Sequence, residues 1–542
     1  MIKSKLYVFA LLISNIAITQ TTPSLIVANN TPTIYRNFQS NPSQKNTIIG
    51  PNGFNFELLD AGANSRFSEI GSCFFKNKLI TTSSKKLGGI AKIDPNTNEA
   101  YKDLFCLDIS ENGTLSSPFL FSRILNTNQS EDQLAFTPNQ KTVYYTKSTK
   151  SNSLEYKLYK ADLEDGSHGN WVNHELLSIN SENISIETPY VSPKGDQLFF
   201  ASNMPNGHGG FDLYVSNINP DGTLSKPVNL GNTINTNLDD KYPSLSLDNK
   251  YLYFASKGHK NMGGYDLFIS KISKNGYKSP RNLGNTINTS YDDIAFFLAT
   301  KNKGYMSSNR PNGKGGFDIY TAFNNEVKQI LEGQILDLET QIKLPNALVI
   351  LKDDDGNEID RQLTNESADY NFNLTPLETY TISVTKAGFK DLSITFLANE
   401  GKATTYTKNI ALQPTEPVII ETKNALSIVI ENIYFDFDKW DVKEESFISL
   451  NKIVKVLNEH PEMTLSIDAH TDNEGVDAYN VSLSEKRAAS AVKYLINHGI
   501  NKQRLQSKGF GESKPLIDCK DQCSKKDLQS NRRIEFNILN NK

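Results

Sequence analysis

A carboxylate and a guanidinium held fifteen positions apart near the end of the chain are the residues best placed to do chemistry. Asp472 closes the apolar run Leu465-Ser466-Ile467-Asp468-Ala469-His470-Thr471. Arg487 stands a turn or two into the next helical pattern, Leu483-Ser484-Glu485-Lys486-Arg487-Ala488. A carboxylate at a strand end facing a guanidinium on a helix can hold a zwitterion, ammonium on Asp and carboxylate on Arg. The planar guanidinium suits its half of that task, because it meets a carboxylate through two parallel hydrogen bonds. The predicted chemistry is the grip of a free amino-acid head group.

An αβ frame must position this pair. Phe447, Leu450, Ile453, Val454 and Leu457 recur at helical spacing, and Pro461 stops that helix. A second helix is predicted from about Ser482 to His498, with Leu483, Val492 and Leu495 on its buried face and Gly499 as its stop. Strands are expected at Leu465–Asp468, Leu505–Gly509 and Ile534–Ile538. His470 reads as a packed strand-end histidine, since no second His, Cys or carboxylate lies at metal spacing beside it.

Further landmarks fall in order around the pair. They are Ile433-Tyr434-Phe435-Asp436-Phe437-Asp438, Ala469-His470-Thr471-Asp472, Tyr479-Asn480, Gly509-Phe510-Gly511-Glu512 and Asn531-Arg532-Arg533-Ile534-Glu535-Phe536. Residues 425–542 thereby resemble the OmpA-like peptidoglycan-binding family. The resemblance implies that Asp472 and Arg487 bind diaminopimelate of the wall's stem peptide, with Asn480, Thr471 and Asp436 as second contacts. Ala469 departs from the glycine of many members; its methyl crowds the loop without blocking it.

Length and composition bound the rest. A chain of 542 residues suggests three or four domains. Lys3 and Lys5, the apolar stretch Leu6–Ile13, and Ala17 and Thr19 before Gln20 read as an export signal over residues 1–19. That run is too short to span a bilayer, which takes roughly 20 apolar residues. No cysteine precedes Cys73, so no lipid anchor is expected, and the mean hydropathy of -0.46 fits a soluble chain. A formal charge of -4 and a pI near 6.1 leave no basic patch for nucleic acid. The 4 cysteines suit an oxidising compartment. Cys519 and Cys523 flank a short polar loop and are expected to pair; whether Cys73 pairs with Cys106 stays open.

The front half repeats. Phe199-Phe200-Ala201-Ser202-Asn203 leads to Gly209-Gly210-Phe211-Asp212-Leu213-Tyr214, and the pattern returns at Tyr253-Phe254 with Gly263-Gly264-Tyr265-Asp266 and at Tyr305-Met306 with Gly315-Gly316-Phe317-Asp318. Asn229-Leu230-Gly231-Asn232-Thr233-Ile234-Asn235-Thr236 likewise returns at Asn282–Thr289. The period is about 53 residues, the length of a four-stranded propeller blade. The paired glycines are assigned to positive-φ turns, and the Asp to a bond with the turn backbone. These repeats resemble the PD-type blades of TolB-like proteins. With weaker copies near Leu134–Tyr159 and Phe74–Ile93, five blades over 45–325 are favoured, and six remain open.

After Ala322 the repeat ends. Short strands such as Leu348–Leu351, Tyr370–Phe372 and Tyr380–Val384, separated by turns, suggest a small β-sandwich. Residues 328–413 resemble the carboxypeptidase regulatory-like family, which implies a spacer without catalysis. The run Asp353-Asp354-Asp355-Gly356 fails the EF-hand test, because Leu351 stands where the loop's first Asp is needed; it reads as a solvated turn. Residues 414–424 form the linker.

The predicted fold is therefore multidomain: an all-β propeller, an all-β sandwich and an α+β OmpA-like domain. No Gly-x-Ser-x-Gly elbow, His-Glu-x-x-His helix or Cys-x-x-Cys pair occurs, so no enzyme, cofactor or metal is expected. The leading expectation is a non-catalytic tether in the periplasm, associated with the outer membrane. It would grip peptidoglycan at one end and dock an outer-membrane partner, such as a type IX secretion or gliding component of Bacteroidota, through its propeller. A Tol–Pal-like envelope factor is the alternative, and a propeller-based hydrolase a third.

Overall fold

The computed structural model describes residues 51–542 except 86–92, 95–99, 150–153, 168, 422–425, 432, 434, 436, 437, 519–523 and 541–542. The expected leader, the expected Cys519–Cys523 disulfide and the candidate contact Asp436 lie outside the described residues. The described chain is mostly β, arranged in many separate sheets with few helices.

Five antiparallel sheets come first, each built on a meander of three consecutive strands with a further strand or strands at its edge. The third, for example, runs Ile186–Val191, Gln197–Ser202, Asp212–Asn217 and Val228–Asn229. Its aromatic second strand is buried along nearly its whole length, as expected of a strand covered on both faces. The fifth sheet, Asp293–Thr300, Lys303–Ser308 and Asp318–Asn324, takes its outer strand from the far end of the region. Phe56–Asp60 pairs antiparallel with Asp318–Asn324, Leu58 opposite Ala322. Side-chain bonds lace neighbouring sheets together. Ser72 Oγ donates to the Leu134 carbonyl (2.9 Å), Ser244 Oγ to the Phe296 carbonyl (2.6 Å), and the Gly71 N–H to Ser307 Oγ (3.0 Å).

The two repeated motifs are halves of one hydrogen-bonded unit. Asp212 accepts from the backbone of His208 (2.5 Å) and Gly209 (3.0 Å) and from the Asn229 amide (2.8 Å). Asp266 does the same with Met262 N–H (2.8 Å) and Asn282 (2.7 Å). Asn235 accepts the Leu213 N–H and donates to its carbonyl, and Asn288 does so at Leu267. The two motifs share a period because each completes the other.

The paired glycines have a different role from the one expected. Gly209, Gly263 and Gly315 do not adopt positive φ. A Cβ on Gly209 would lie 2.3 Å from the Leu238 carbonyl oxygen, on Gly263 2.2 Å from the Ser290 carbonyl carbon, and on Gly315 1.7 Å from the Phe67 carbonyl oxygen. They are glycines so that the loop can press on the backbone leading into the next sheet. Cys73 and Cys106 are free thiols. The strand Lys78–Ser83 runs between theirs, with Ile80 opposite both. Two strand spacings are about 9.5 Å, beyond the roughly 7 Å Cα separation a disulfide tolerates.

Two further four-stranded sheets pack face to face on a core that includes Leu331, Val349, Leu351, Phe372 and Ile382. One sheet centres on Gln329–Asp337 and the other on Leu348–Asp353 and Thr379–Thr385. The acidic turn between Leu348–Asp353 and Glu358–Leu363 is more than a solvated turn. Asp354 pairs with Lys271 (2.6 Å) and Lys278 (3.1 Å) of the fourth sheet, and Glu378 pairs with Lys271 (3.2 Å) and Arg281 (3.5 Å). These charges join the sandwich to the sheets before it.

The C-terminal sheet has the order Val418–Glu421, Leu426–Val429, Ile534–Asn540, Thr464–Ala469, Leu505–Gly509, with only the last pair parallel. Helices α1 (Phe447–Glu459), α2 (Asp477–Asn497) and α3 (Lys525–Asn531) accompany it. Helix α1 serves two cores: Ile448 joins the sandwich cluster, while Leu450, Ile453 and Leu457 join the C-terminal one. Gly499, at φ +93°, ends α2 as expected.

Candidate functional site

Helix α2 starts earlier than its apolar spacing predicts, at Asp477 rather than near Ser482. Its buried stripe is Asn480, Ser484, Arg487, Ala488, Ala491 and Leu495, and Leu483 is only half-buried. The first half of that stripe is polar. Apolar periodicity cannot register such a face, which is why the early turns went unread. The apolar half packs on the sheet; the polar half faces the loop after Thr464–Ala469.

Asp472 leaves that strand 7% exposed, Asn480 is 2% exposed and Arg487 8% exposed. The Asn480 amide donates to the Asp472 carbonyl (3.4 Å) and to Glu512 Oε2 (2.6 Å). The loop itself is pinned by the Thr471 N–H, which donates to the Gly511 carbonyl (2.9 Å), while Gly511 N–H donates to Ser484 Oγ (2.9 Å). Thr471 Oγ1 is buried and has no hydrogen-bond partner among the described residues. Gly509 must be glycine, because a Cβ there would lie 2.3 Å from the Glu485 nitrogen. The Ala469 methyl lies in the core, away from any crowding of the loop.

Asp472 and Arg487 do not pair with each other. The Asp472 carboxylate is held by the Arg532 guanidinium. Arg487 donates from Nε to the Lys439 carbonyl (3.1 Å) and lies 5.0 Å over the Phe435 ring. Burial, with the Arg532 charge nearby, lowers the Arg487 pKa from its ordinary value; the Asp472 and Asp438 carboxylates act the other way. A buried guanidinium, with Nη groups that bond no described residue, stands close enough to a buried carboxylate for the two charges to act on each other. Such a pair can receive the two ends of a zwitterion.

His470 is a packed residue, stacked 5.2 Å on Phe510 at 9° and 3.7 Å from Glu535. His470 and Arg533 hold the Glu535 carboxyl well down, at about 2. Sequence reasoning passed over Arg532 and Glu512 as site residues. Each stood inside a landmark, Glu512 in Gly509-Phe510-Gly511-Glu512 and Arg532 in Asn531-Arg532-Arg533, and nothing in the second says which arginine turns toward Asp472.

The OmpA family model matches residues 434–527. The C-terminal domain is OmpA-like. Among curated relatives, photosystem I P700 chlorophyll a apoprotein A2 of Gloeobacter violaceus is 35% identical over 29% of this chain and 19% of its own length. Outer membrane porin F of Pseudomonas aeruginosa is 34% identical over 20% of this chain and 30% of its own. The peptidoglycan-associated lipoprotein of Buchnera aphidicola is 34% identical over 16% of this chain and 49% of its own. The chain thus spans less than half of each of these relatives. Among the described residues no helix is long and apolar enough to cross a membrane.

Proposed function

We propose that the chain is a non-catalytic tether of the cell envelope whose OmpA-like domain binds peptidoglycan. Asp472 takes the ammonium of a diaminopimelate head group and Arg487 its carboxylate, with Asn480 and Thr471 as further contacts. The observation that carries this reading is the burial of two opposite charges at one end of the domain, the carboxylate covered by an internal cation. Such a site is made for a ligand with charges of both signs. The Buchnera relative, named for its association with peptidoglycan, supports the same reading.

The five sheets are proposed to be the blades of a propeller over 45–325, with 328–413 as its spacer and 425–542 as the wall-binding end. The outer strand supplied by Phe56–Asp60 supports a ring closed by the start of the region. So do the bonds from Gly71 in the first sheet to the fifth, and from Ser72 to the second. The propeller would dock an outer-membrane or secretion partner, which places the protein in the periplasm beside the outer membrane. The charged joint at Lys271, Asp354 and Glu378 would keep spacer and propeller moving as a unit.

The test is co-sedimentation of the full chain with purified sacculi. Asp472→Ala and Arg487→Ala should each weaken binding about tenfold or more, since a charge-assisted bond contributes about 1.5–3 kcal/mol. Unchanged sedimentation of both folded variants rejects the site. Release of soluble muropeptides by the wild type would reject the non-catalytic part.

A further inference from the structure

The rim of this site carries an exposed aromatic ring that the zwitterion grip does not use. Trp440 is 42% exposed, whereas the other tryptophan, Trp171, is 1% exposed. Trp440 follows Lys439, whose carbonyl accepts the Arg487 Nε bond at 3.1 Å. That bond fixes the backbone on which the indole hangs beside the buried guanidinium. On the opposite side, Lys486 precedes Arg487 on α2, and its ammonium lies 4.4 Å from the centroid of the indole. Lys486 makes no ion pair with a described residue. A surface cation–π contact explains where the lysine sits. It does not explain why so large an apolar ring is kept in water at the edge of a charged site. Tryptophan joins a broad apolar face to a polar edge, a combination suited to recognition surfaces.

We propose that Trp440 and Lys486 form a second subsite, taking the sugar to which a wall stem peptide is attached. The inference rests on the wall-binding reading of Asp472 and Arg487 and extends it along the ligand. A hexopyranose ring presents a face of C–H groups that packs flat on the indole, and its oxygen substituents meet the Lys486 ammonium. The reach is suitable. A stem residue spans at most about 3.6 Å when extended, so two or three of them put the sugar about 7–11 Å from the gripped head group. Trp440 and Lys486 are the immediate chain neighbours of Lys439 and Arg487, which meet at the guanidinium.

The test compares two ligands on the full chain: a free stem peptide ending in diaminopimelate, and the same stem carrying its disaccharide. Wild type should bind the disaccharide-stem about five- to tenfold more tightly, the range an aromatic platform supplies. Trp440→Ala should abolish that preference while binding the free stem as wild type does, and Trp440→Phe should retain most of it. Tryptophan fluorescence should respond to the disaccharide-stem in wild type and lose that response in Trp440→Phe, because Trp171 is buried. Equal wild-type affinity for the two ligands, or an equal loss on both in Trp440→Ala, overturns the subsite and leaves the zwitterion grip standing. Binding of neither ligand by wild type overturns the wall-binding reading itself, and this one with it.

Discussion

Arg532, at the end of α3, is ion-paired with Asp472, 60 residues earlier in the chain. The site therefore holds a cation of its own where a ligand's ammonium is proposed to sit. Asp472 is buried and Arg532 partly so, which makes the pair a structural bond as well as a placeholder.

Arg532→Ala should therefore cost stability, about 1–3 kcal/mol, the penalty for leaving a buried carboxylate without its charged partner. It should lose less wall binding than Asp472→Ala, because the carboxylate remains. Thermal melts beside sacculus sedimentation measure both effects. A loss of binding equal to that of Asp472→Ala would make Arg532 a direct contact instead.

Gly315→Ala should destabilise the sheets by about 1–3 kcal/mol, the usual cost of forcing atoms into a packed interior. Its Cβ would fall 1.7 Å from the Phe67 carbonyl oxygen. Gly169→Ala meets nothing within 4 Å and should shift stability by less than about 0.5 kcal/mol. Denaturant melts of the two variants compare them directly. Equal effects would mean that the close approach of loop and sheet is unimportant.

Burial pushes the carboxyls of Glu69, Glu131 and Asp266 up to about 7. Each then binds its proton more tightly in the folded than in the unfolded chain, so its contribution falls as pH rises from about 4 to about 7. Glu535, held at about 2, titrates below that window. Asp266 has one oxygen without a partner among the described residues, while the other accepts both Met262 N–H and Asn282. Asp266→Asn keeps that accepting oxygen and removes the titration. The variant should gain stability relative to wild type at pH 8 and lose the gain near pH 5, as melting curves at the two pH values will report. A difference independent of pH would show that Asp266 does not titrate there.

The joint between fourth sheet and sandwich should be stronger than an ordinary surface pair. Lys271 and Glu378 have side chains 15% and 12% exposed, against 66% and 91% for Lys141 and Asp165. A double-mutant cycle on Lys271 and Glu378 should give a coupling of about 1 kcal/mol or more. The exposed pair should give about 0.5 kcal/mol or less. Comparable couplings would remove the case for a rigid joint.

Much of the C-terminal frame was legible locally. Helix α1 is written in the spacing of Leu450, Ile453 and Leu457, and the strand Leu505–Gly509 has the bounds its residues suggested. The start of α2 was not legible, because its buried face opens with Asn480 and Ser484 instead of apolar side chains. In the five sheets, the repeat spacing announced equivalent units. It could not reveal that Asp212 and Asn229 bond one another, or that Gly315 faces the Phe67 backbone.

Local pattern placed helix α1 and the strand Leu505–Gly509, and it marked opposite charges at the end of one strand and near the start of one helix. These are local matters, set by alternation, turn residues and spacing. The packing of distant segments is what brings Asp472 to Arg532, sets Ile80 between Cys73 and Cys106, and pairs Asp354 with Lys271. Such contacts join residues far apart in the chain. They depend on how sheets and helices pack, and the composition of any one segment does not contain that information.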